Sequence, residues 1–309
     1  MIKYKCIRNN CFENILLNTP KFWSYFEDLA EKYQGFIFGI QGVLFDGINV
    51  FPAAIDCLEK LRVAEKTVSL ISNTVQRSPL LVETLRAKGI PLSLYQYIVT
   101  AGDETYRHLR DKNDPWHNAL GDTCYFIGST EDHLLMEKLP YHHTNHIEEA
   151  DFILVAGTDE WDKNLEDYFP DLDVGITLCL PLICANPDQY CYIGQEKFIC
   201  PGAFATYYQK KGGEVFYHGK PYISIFNQIL KKLTVIKRDK ILFIGDSLAT
   251  DIMGANRIDL DSLLVCSPVT FEELKLPLNA QQILSLSEIS EMIGADNPKP
   301  THMMRSLKW

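Results

Sequence analysis

The chain has 309 residues, 46% of them hydrophobic and 23% charged, which describes a globular protein and excludes a disordered or collagen-like one. Its 30 Lys and Arg stand against 40 Asp and Glu, a formal charge of −10, with no basic run, so nucleic acid and anionic membranes are not expected partners. Nine scattered cysteines, no apolar stretch of membrane-spanning length and no apolar signal core in M-I-K-Y-K-C-I-R-N-N-C predict reduced thiols and a cytoplasmic location.

Short apolar runs alternate with amphipathic stretches along the chain. A strand is predicted at Gly35–Ile40, then a helix at Pro52–Val63, with Pro at its first position and Ile55, Leu58 and Leu61 on one side. A strand at Thr67–Ser72 precedes a helix at Ser78–Lys88 that stops at Gly89. Strands follow at Thr123–Ile127, Phe152–Ala156 and Glu214–Tyr217. A helix at Pro221–Leu233 carries Ile225, Ile229 and Leu233 at i, i+4 and i+8, and strands at Lys240–Ile244 and Ser262–Cys266 complete the series. The strand runs are continuously apolar, as in a sheet buried on both faces. The alternation predicts an α/β fold with a parallel sheet, and such folds bind ligands beyond the carboxyl ends of their strands.

Four predicted strand ends carry polar groups: G-I-Q-G-V-L-F-D-G from Gly39, Ser72-Asn73, Y-H-G-K-P with Lys220, and I-G-D-S-L-A-T-D with Asp246 and Asp251. Taken singly, each reads as a turn or a helix cap. Taken together they would meet at one mouth of the sheet. Asp246 and Asp251 are hard oxygen donors suited to Mg²⁺. Lys220 offers a compact positive charge, and Ser72 with nearby backbone N–H groups can donate to an anion. Phosphoryl transfer needs chiefly positioning and charge stabilisation, which these groups supply.

The set resembles the haloacid dehalogenase-like (HAD) phosphohydrolases of class IIA, with the four motifs at residues 39–43, 72–73, Lys220 and 245–251. D-P-W-H at Asp114–His117, C-A-N-P-D at Cys184–Asp188, P-G-A-F-A at Pro201–Ala205 and the C-terminal P-T-H-M-M-R-S-L-K-W resemble a bacterial sub-branch of predicted sugar phosphatases. The resemblance spans about residues 20–309. It implies a Rossmann-like core over residues 1–100 and 198–309, and an inserted α/β cap over 101–197. Trp116, the helix at Asp103–Arg110 and the substrate-side Asn186 and Asp188 would belong to the cap or its seam. It further implies an Mg²⁺ cofactor held by Asp246, Asp251 and the Gln41 backbone carbonyl. Ser72, Asn73 and Lys220 would bind phosphate, the substrate would be a small phosphorylated metabolite, and a homodimer is possible in this class.

One departure bears on function. In the resembling proteins an Asp directly after the first strand attacks phosphorus, and many members carry an acid–base Asp two residues on. Here those positions hold Gly39 and Gln41. Gly39 can form no covalent intermediate, and Gln41 cannot protonate a leaving group. Losing a carboxylate also weakens the expected Mg²⁺ site and makes the pocket friendlier to an anion. Three readings follow: a phosphate-binding protein with little or no turnover, an active hydrolase with an atypical nucleophile such as Asp46, and a non-catalytic interaction protein. His142–His146 is read as surface histidines and Gly213–Lys220 as no P-loop, since Pro221 stands where Ser or Thr is required.

Overall fold

The computed structural model describes residues 19–160, 162–295 and 297–309. The segment read for a signal core lies outside them. In chain order the strands are β1 (Lys21–Phe22), β2 (Gly35–Gly39), β3 (Thr67–Ser72), β4 (Tyr97–Thr100), β5 (Thr123–Ile127), β6 (His142–Thr144) and β7 (Phe152–Val155). Then come β8 (Leu182–Cys184), β9 (Tyr190–Ile193), β10 (Glu196–Ile199), β11 (Val215–Tyr217), β12 (Ile241–Gly245), β13 (Asp261–Val265) and β14 (His302–Met304).

Seven strands form one parallel sheet in the order β1-β14-β13-β12-β2-β3-β4. Every residue of β2 and β12 is buried, as their unbroken apolar runs require. Phe36 and Phe38 pack on one face with Leu242 and Ile244, while Ile37 and Phe243 pack on the other with Phe226 and Ile229. The strand order runs outward in opposite directions from the central β2–β12 pair. Their carboxyl ends therefore open the crevice that a doubly wound sheet offers a ligand.

A second parallel sheet, in the order β11-β8-β7-β5-β6, forms the cap. The hairpin of β9 and β10 stands apart from both sheets. The core boundary expected at residue 198 needs correction. β11 is hydrogen-bonded to β8 in the cap sheet, and Phe204 and Tyr208 of the helix Pro201–Lys210 pack into the cap's apolar cluster. The cap therefore extends to Tyr217, and the chain re-enters the core through His218–Lys220.

The C-terminal segment, which carries no strand pattern, adds β14 to the core sheet between β1 and β13. His302 anchors it. Trp23 Nε1–H donates to His302 Nδ1 at 3.1 Å, and Tyr33 Oη lies 2.9 Å from His302 Nε2 and donates to Asp261 Oδ2 at 2.7 Å. A neutral ring fits this chain, because Nδ1 must accept while Nε2 donates. Burial depresses the His302 pKa from 6.5 to about 4. The unfolded chain thus takes up a proton first as pH falls. The stability His302 lends is complete above 6.5 and is lost as pH drops to about 4, by up to about 3 kcal/mol. Urea denaturation between these limits should show the wild-type chain losing this stability and His302→Gln lacking the slope.

Candidate active site

The carboxyl ends of β2, β3 and β12, the loop before Pro221 and the β9–β10 hairpin enclose a cavity of about 1220 Å³. Gln41, Ser72, Asn73, Asn186, Asp188, Lys220, Asp246 and Asp251 all line it. Gly39 ends β2 just behind the wall.

The loops that aim these side chains depend on two glycines. Gly42 has φ +79°, and a Cβ there would stand 1.9 Å from Asp246 Oδ2, so only glycine lets the Asp246 carboxylate rest on this turn. Gly219 has φ +117°, and its Cβ would meet Asn73 Oδ1 at 2.6 Å. That close approach lets Asn73 clamp the lysine loop. Lys220 N–H donates to Asn73 Oδ1 at 2.7 Å, while Asn73 Nδ2 donates to Lys220 O at 3.1 Å and Asp188 Oδ1 at 2.9 Å. The Asn73 amide is thus occupied in positioning Lys220 rather than aimed at a ligand.

Lys220 Nζ donates to Asp251 Oδ1 at 2.7 Å, and both side chains are buried. Asp251 Oδ2 accepts from the backbone N–H of Asp246 at 3.0 Å and of Ser247 at 3.3 Å. Asp246 Oδ2 accepts from Ser267 Oγ at 2.6 Å. Burial, reinforced by Asp251, pushes the Asp246 carboxyl well above its ordinary range. Burial also raises Asp188. For Lys220 burial pulls the ammonium down, but Asp251 and Asp188 more than offset it and hold the pKa above its ordinary value. The sequence reading has the loss of a carboxyl at position 39 favour anions. The structure nevertheless leaves three buried or half-buried carboxyl groups around one ammonium that is already paired with Asp251, so a bare anion meets no free positive charge there.

Position 39 has room for a side chain. An ideal Cβ there would lie 3.4 Å from Ile244 O, 3.5 Å from Asp251 Oδ2 and 3.6 Å from Val43 Cγ2, all ordinary contacts. It would point at the Asp251 carboxylate. Gln41 Nε2 instead donates to the Tyr192 carbonyl at 2.6 Å, tying the core to the β9–β10 hairpin over the mouth. Gly194 N–H to Asp46 O at 2.9 Å and Tyr192 Oη to Glu272 at 3.1 Å complete this closure. Ser72 Oγ accepts from Thr74 N–H at 3.1 Å, which keeps its hydroxyl proton as a donor. Asn186 Oδ1 accepts from Asp188 N–H at 2.9 Å, shaping the cap lip. Asp46 Oδ1 accepts from Ile48 N–H at 2.8 Å and Asn49 N–H at 2.6 Å, and these bonds hold its carboxyl below the usual range. Its carboxylate is engaged in the turn.

Sequence reasoning missed two supports. Ser267 follows β13 and caps Pro268–Glu273, a placement that S-P-V-T could have signalled. Glu273 has no such signature. Its carboxylate accepts from Ser247 Oγ and Leu248 N–H at 2.6 Å each and Ala249 N–H at 3.2 Å, fixing the turn that presents Asp251. Burial raises its pKa from 4.5 to about 7. The folded chain therefore holds this proton more tightly than the unfolded one. The stabilising effect is complete below 4.5 and is lost as pH rises to about 7, by up to about 3 kcal/mol. Glu273→Gln should remove that falling limb from the difference between urea midpoints at the two pH limits.

Two family models match the chain: haloacid dehalogenase-like hydrolase over residues 36–168 and HAD-hydrolase-like over 217–287. The chain belongs to the haloacid dehalogenase-like hydrolases. Within them it falls in the class IIA phosphatase branch. It is 27% identical over 292 residues to a 4-nitrophenylphosphatase of Schizosaccharomyces pombe, an alignment covering 83% of this chain and 90% of that one. A HAD-like hydrolase from Brucella suis superposes with TM-score 0.78 at 24% identity, covering 92% and 99% of the two chains. A possible sugar phosphatase from Cytophaga hutchinsonii gives 0.72 at 23% identity over 93% and 98%. Both solved structures have the HAD core and cap seen here.

Proposed function

We propose that this HAD protein binds a small phosphorylated metabolite of sugar-phosphate type, or phosphate itself, together with Mg²⁺, and turns it over very slowly or not at all. The observation that carries the reading is Gly39. It ends the central strand, faces Asp251 and Val43, and offers no atom that could attack phosphorus. Position 41 adds an amide that is hydrogen-bonded to the hairpin. General acid–base help is typically worth ~10²–10⁴ in rate, and loss of the nucleophile comes on top of that.

The donor set suits a hard divalent cation. Burial, and after it the neighbouring Asp251, force the Asp246 pKa upward, a cost that a cation relieves. Asp246, Asp251 and the Gln41 carbonyl would hold Mg²⁺, which when bound offsets the negative charge of phosphoryl oxygens. Lys220 and the Ser72 hydroxyl would grip those oxygens. Asn73 would act through Lys220, and Asn186 and Asp188 would meet the rest of the substrate. The engaged Asp46 carboxylate speaks against an atypical nucleophile there. The free thiols of Cys57, Cys124, Cys179, Cys184, Cys191 and Cys200 suit a reducing compartment.

Calorimetric titration with inorganic phosphate should show binding that strengthens at least ~10-fold when Mg²⁺ is present, about 1.4 kcal/mol. Absence of binding with saturating Mg²⁺ would overturn the proposal and favour the interaction-protein reading.

A further inference from the structure

A second polar cluster lies behind the lysine loop, away from the cavity. Glu104 and His108 sit one turn apart on the helix Ala101–Asp111. Asp114 caps the short helix Pro115–Asn118, which carries His117. His218 follows β11, two residues before Lys220. Glu104, His117 and His218 are buried, and the His108 side chain is 22% exposed. Asp114 Oδ2 lies 2.7 Å from His117 Nδ1 and 3.0 Å from His108 Nδ1, and His117 Nε2 lies 3.1 Å from His218 Nε2.

The protons in this chain can be assigned. Burial works against the Asp114 charge, but hydrogen bonds from His117 and His108 win and lower its pKa to about 2. Asp114 is therefore an acceptor only, and both Nδ1 atoms donate to it. His117 Nε2 and His218 Nε2 face each other, so one of the two accepts there. His117 already turns Nδ1 to Asp114, which points to His117 Nε2 as the acceptor and His218 Nε2–H as the donor. With His108 Nδ1 turned to Asp114 and His218 Nε2 turned to His117, the nitrogens left for a ligand are His108 Nε2 and His218 Nδ1. Histidines whose other nitrogen is held by a carboxylate or a further acceptor are the form in which imidazole binds metal. Glu104, His108 and His218 each offer a ligand atom, and those atoms lie within 4.8 Å of one another.

From this juxtaposition we propose that Glu104, His108 and His218 form a second metal site, for a zinc-class divalent cation with two imidazoles and one carboxylate. Imidazole donors select against Mg²⁺ and Ca²⁺, and three protein ligands leave a fourth position for water. The cation staples the helix Ala101–Asp111 to the loop that delivers Lys220. Glu104 Oε2 also accepts from Gly219 N–H at 2.9 Å, so the site and the lysine loop share a residue. His117 and Asp114 are positioning residues behind His218 and His108.

The test uses the full chain, stripped with a chelator, equilibrated with micromolar Zn²⁺ alone, desalted and analysed for metal. The wild-type chain should retain one zinc and become more resistant to heat as free Zn²⁺ rises. His108→Gln, chosen because that ring is partly exposed, should lower zinc affinity at least ~10-fold. His142→Gln/His143→Gln, in exposed β6, and Asp246→Asn, in the cavity, should both retain the metal. The latter separates this site from the proposed Mg²⁺ site. Zinc-edge anomalous scattering from wild-type crystals locates the metal without any variant. Folded wild-type chain that keeps no zinc, zinc retention unchanged in His108→Gln, loss in the β6 pair, or an anomalous peak elsewhere would each overturn the proposal.

Discussion

Gly39→Asp is expected to raise hydrolysis of 4-nitrophenyl phosphate in Mg²⁺ by at least ~10³-fold over the wild-type chain, because it restores a covalent nucleophile to a site otherwise assembled. The substitution is sterically quiet, since the new Cβ makes only ordinary contacts of 3.4–3.6 Å. Its cost is electrostatic. The carboxylate would join Asp251 and Asp246, and burial, reinforced by Asp251, already forces the Asp246 carboxyl up. The metal-free variant should therefore melt below the wild-type chain, and Mg²⁺ should recover the difference. Position 41 would still lack an acid, so Gly39→Asp/Gln41→Asp should gain a further ~10²–10⁴ in rate on substrates with poor leaving groups. Little or no gain on 4-nitrophenyl phosphate is expected, because that leaving group departs without a proton.

Lys220→Met is expected to weaken phosphate binding in Mg²⁺ by ~10–100-fold, the worth of one charge-assisted hydrogen bond. It should also destabilise the fold by about 3–5 kcal/mol, because Asp251 is left buried without its cationic partner. The two effects are separable. Lys220→Met/Asp251→Asn removes the orphaned charge and should regain most of the stability. Phosphate affinity should stay low in the double variant. Titration calorimetry and urea denaturation on the same samples measure both quantities.

The sequence makes the core sheet legible because its strands are continuous apolar runs. Gly35–Ile40 and Lys240–Ile244 match β2 and β12 within a residue. It hides strands that satisfy other demands. β4 is a four-residue edge strand, half of it partly exposed, and β14 is built on a histidine whose polarity is absorbed by Trp23 and Tyr33. The hairpin turn at Gly194, with φ +63°, has no flanking turn signal beyond the single glycine. The cap boundary was misplaced because β11 reads like any buried strand, and only its pairing with β8 assigns it to the second sheet.

The candidate site was legible as four strand ends and less so as a network. Lys220, Asp246 and Asp251 meet as expected. The partners that hold them come from distant segments: Asn73 across 147 residues, Ser267 across 21 and Glu273 across 26. Asn73 is marked only as a strand end and Ser267 only as a helix cap, while Glu273 carries no local mark, since each serves by reaching a neighbour that the fold supplies. Gln41 is the converse case. Its position is fixed by the motif, but its bond to the Tyr192 carbonyl joins it to a residue 151 positions away that only the fold brings near.

The account rests on position 39 lacking a group that can take a phosphoryl from a substrate. Intact-mass analysis of the wild-type and Gly39→Asp chains, acid-quenched after exposure to Mg²⁺ and a labile phosphodonor such as acetyl phosphate, tests this most directly. The account predicts an unmodified wild-type chain and a covalent phosphoryl adduct on residue 39 of the variant. A phosphoryl group trapped on any carboxylate of the wild-type chain would contradict it.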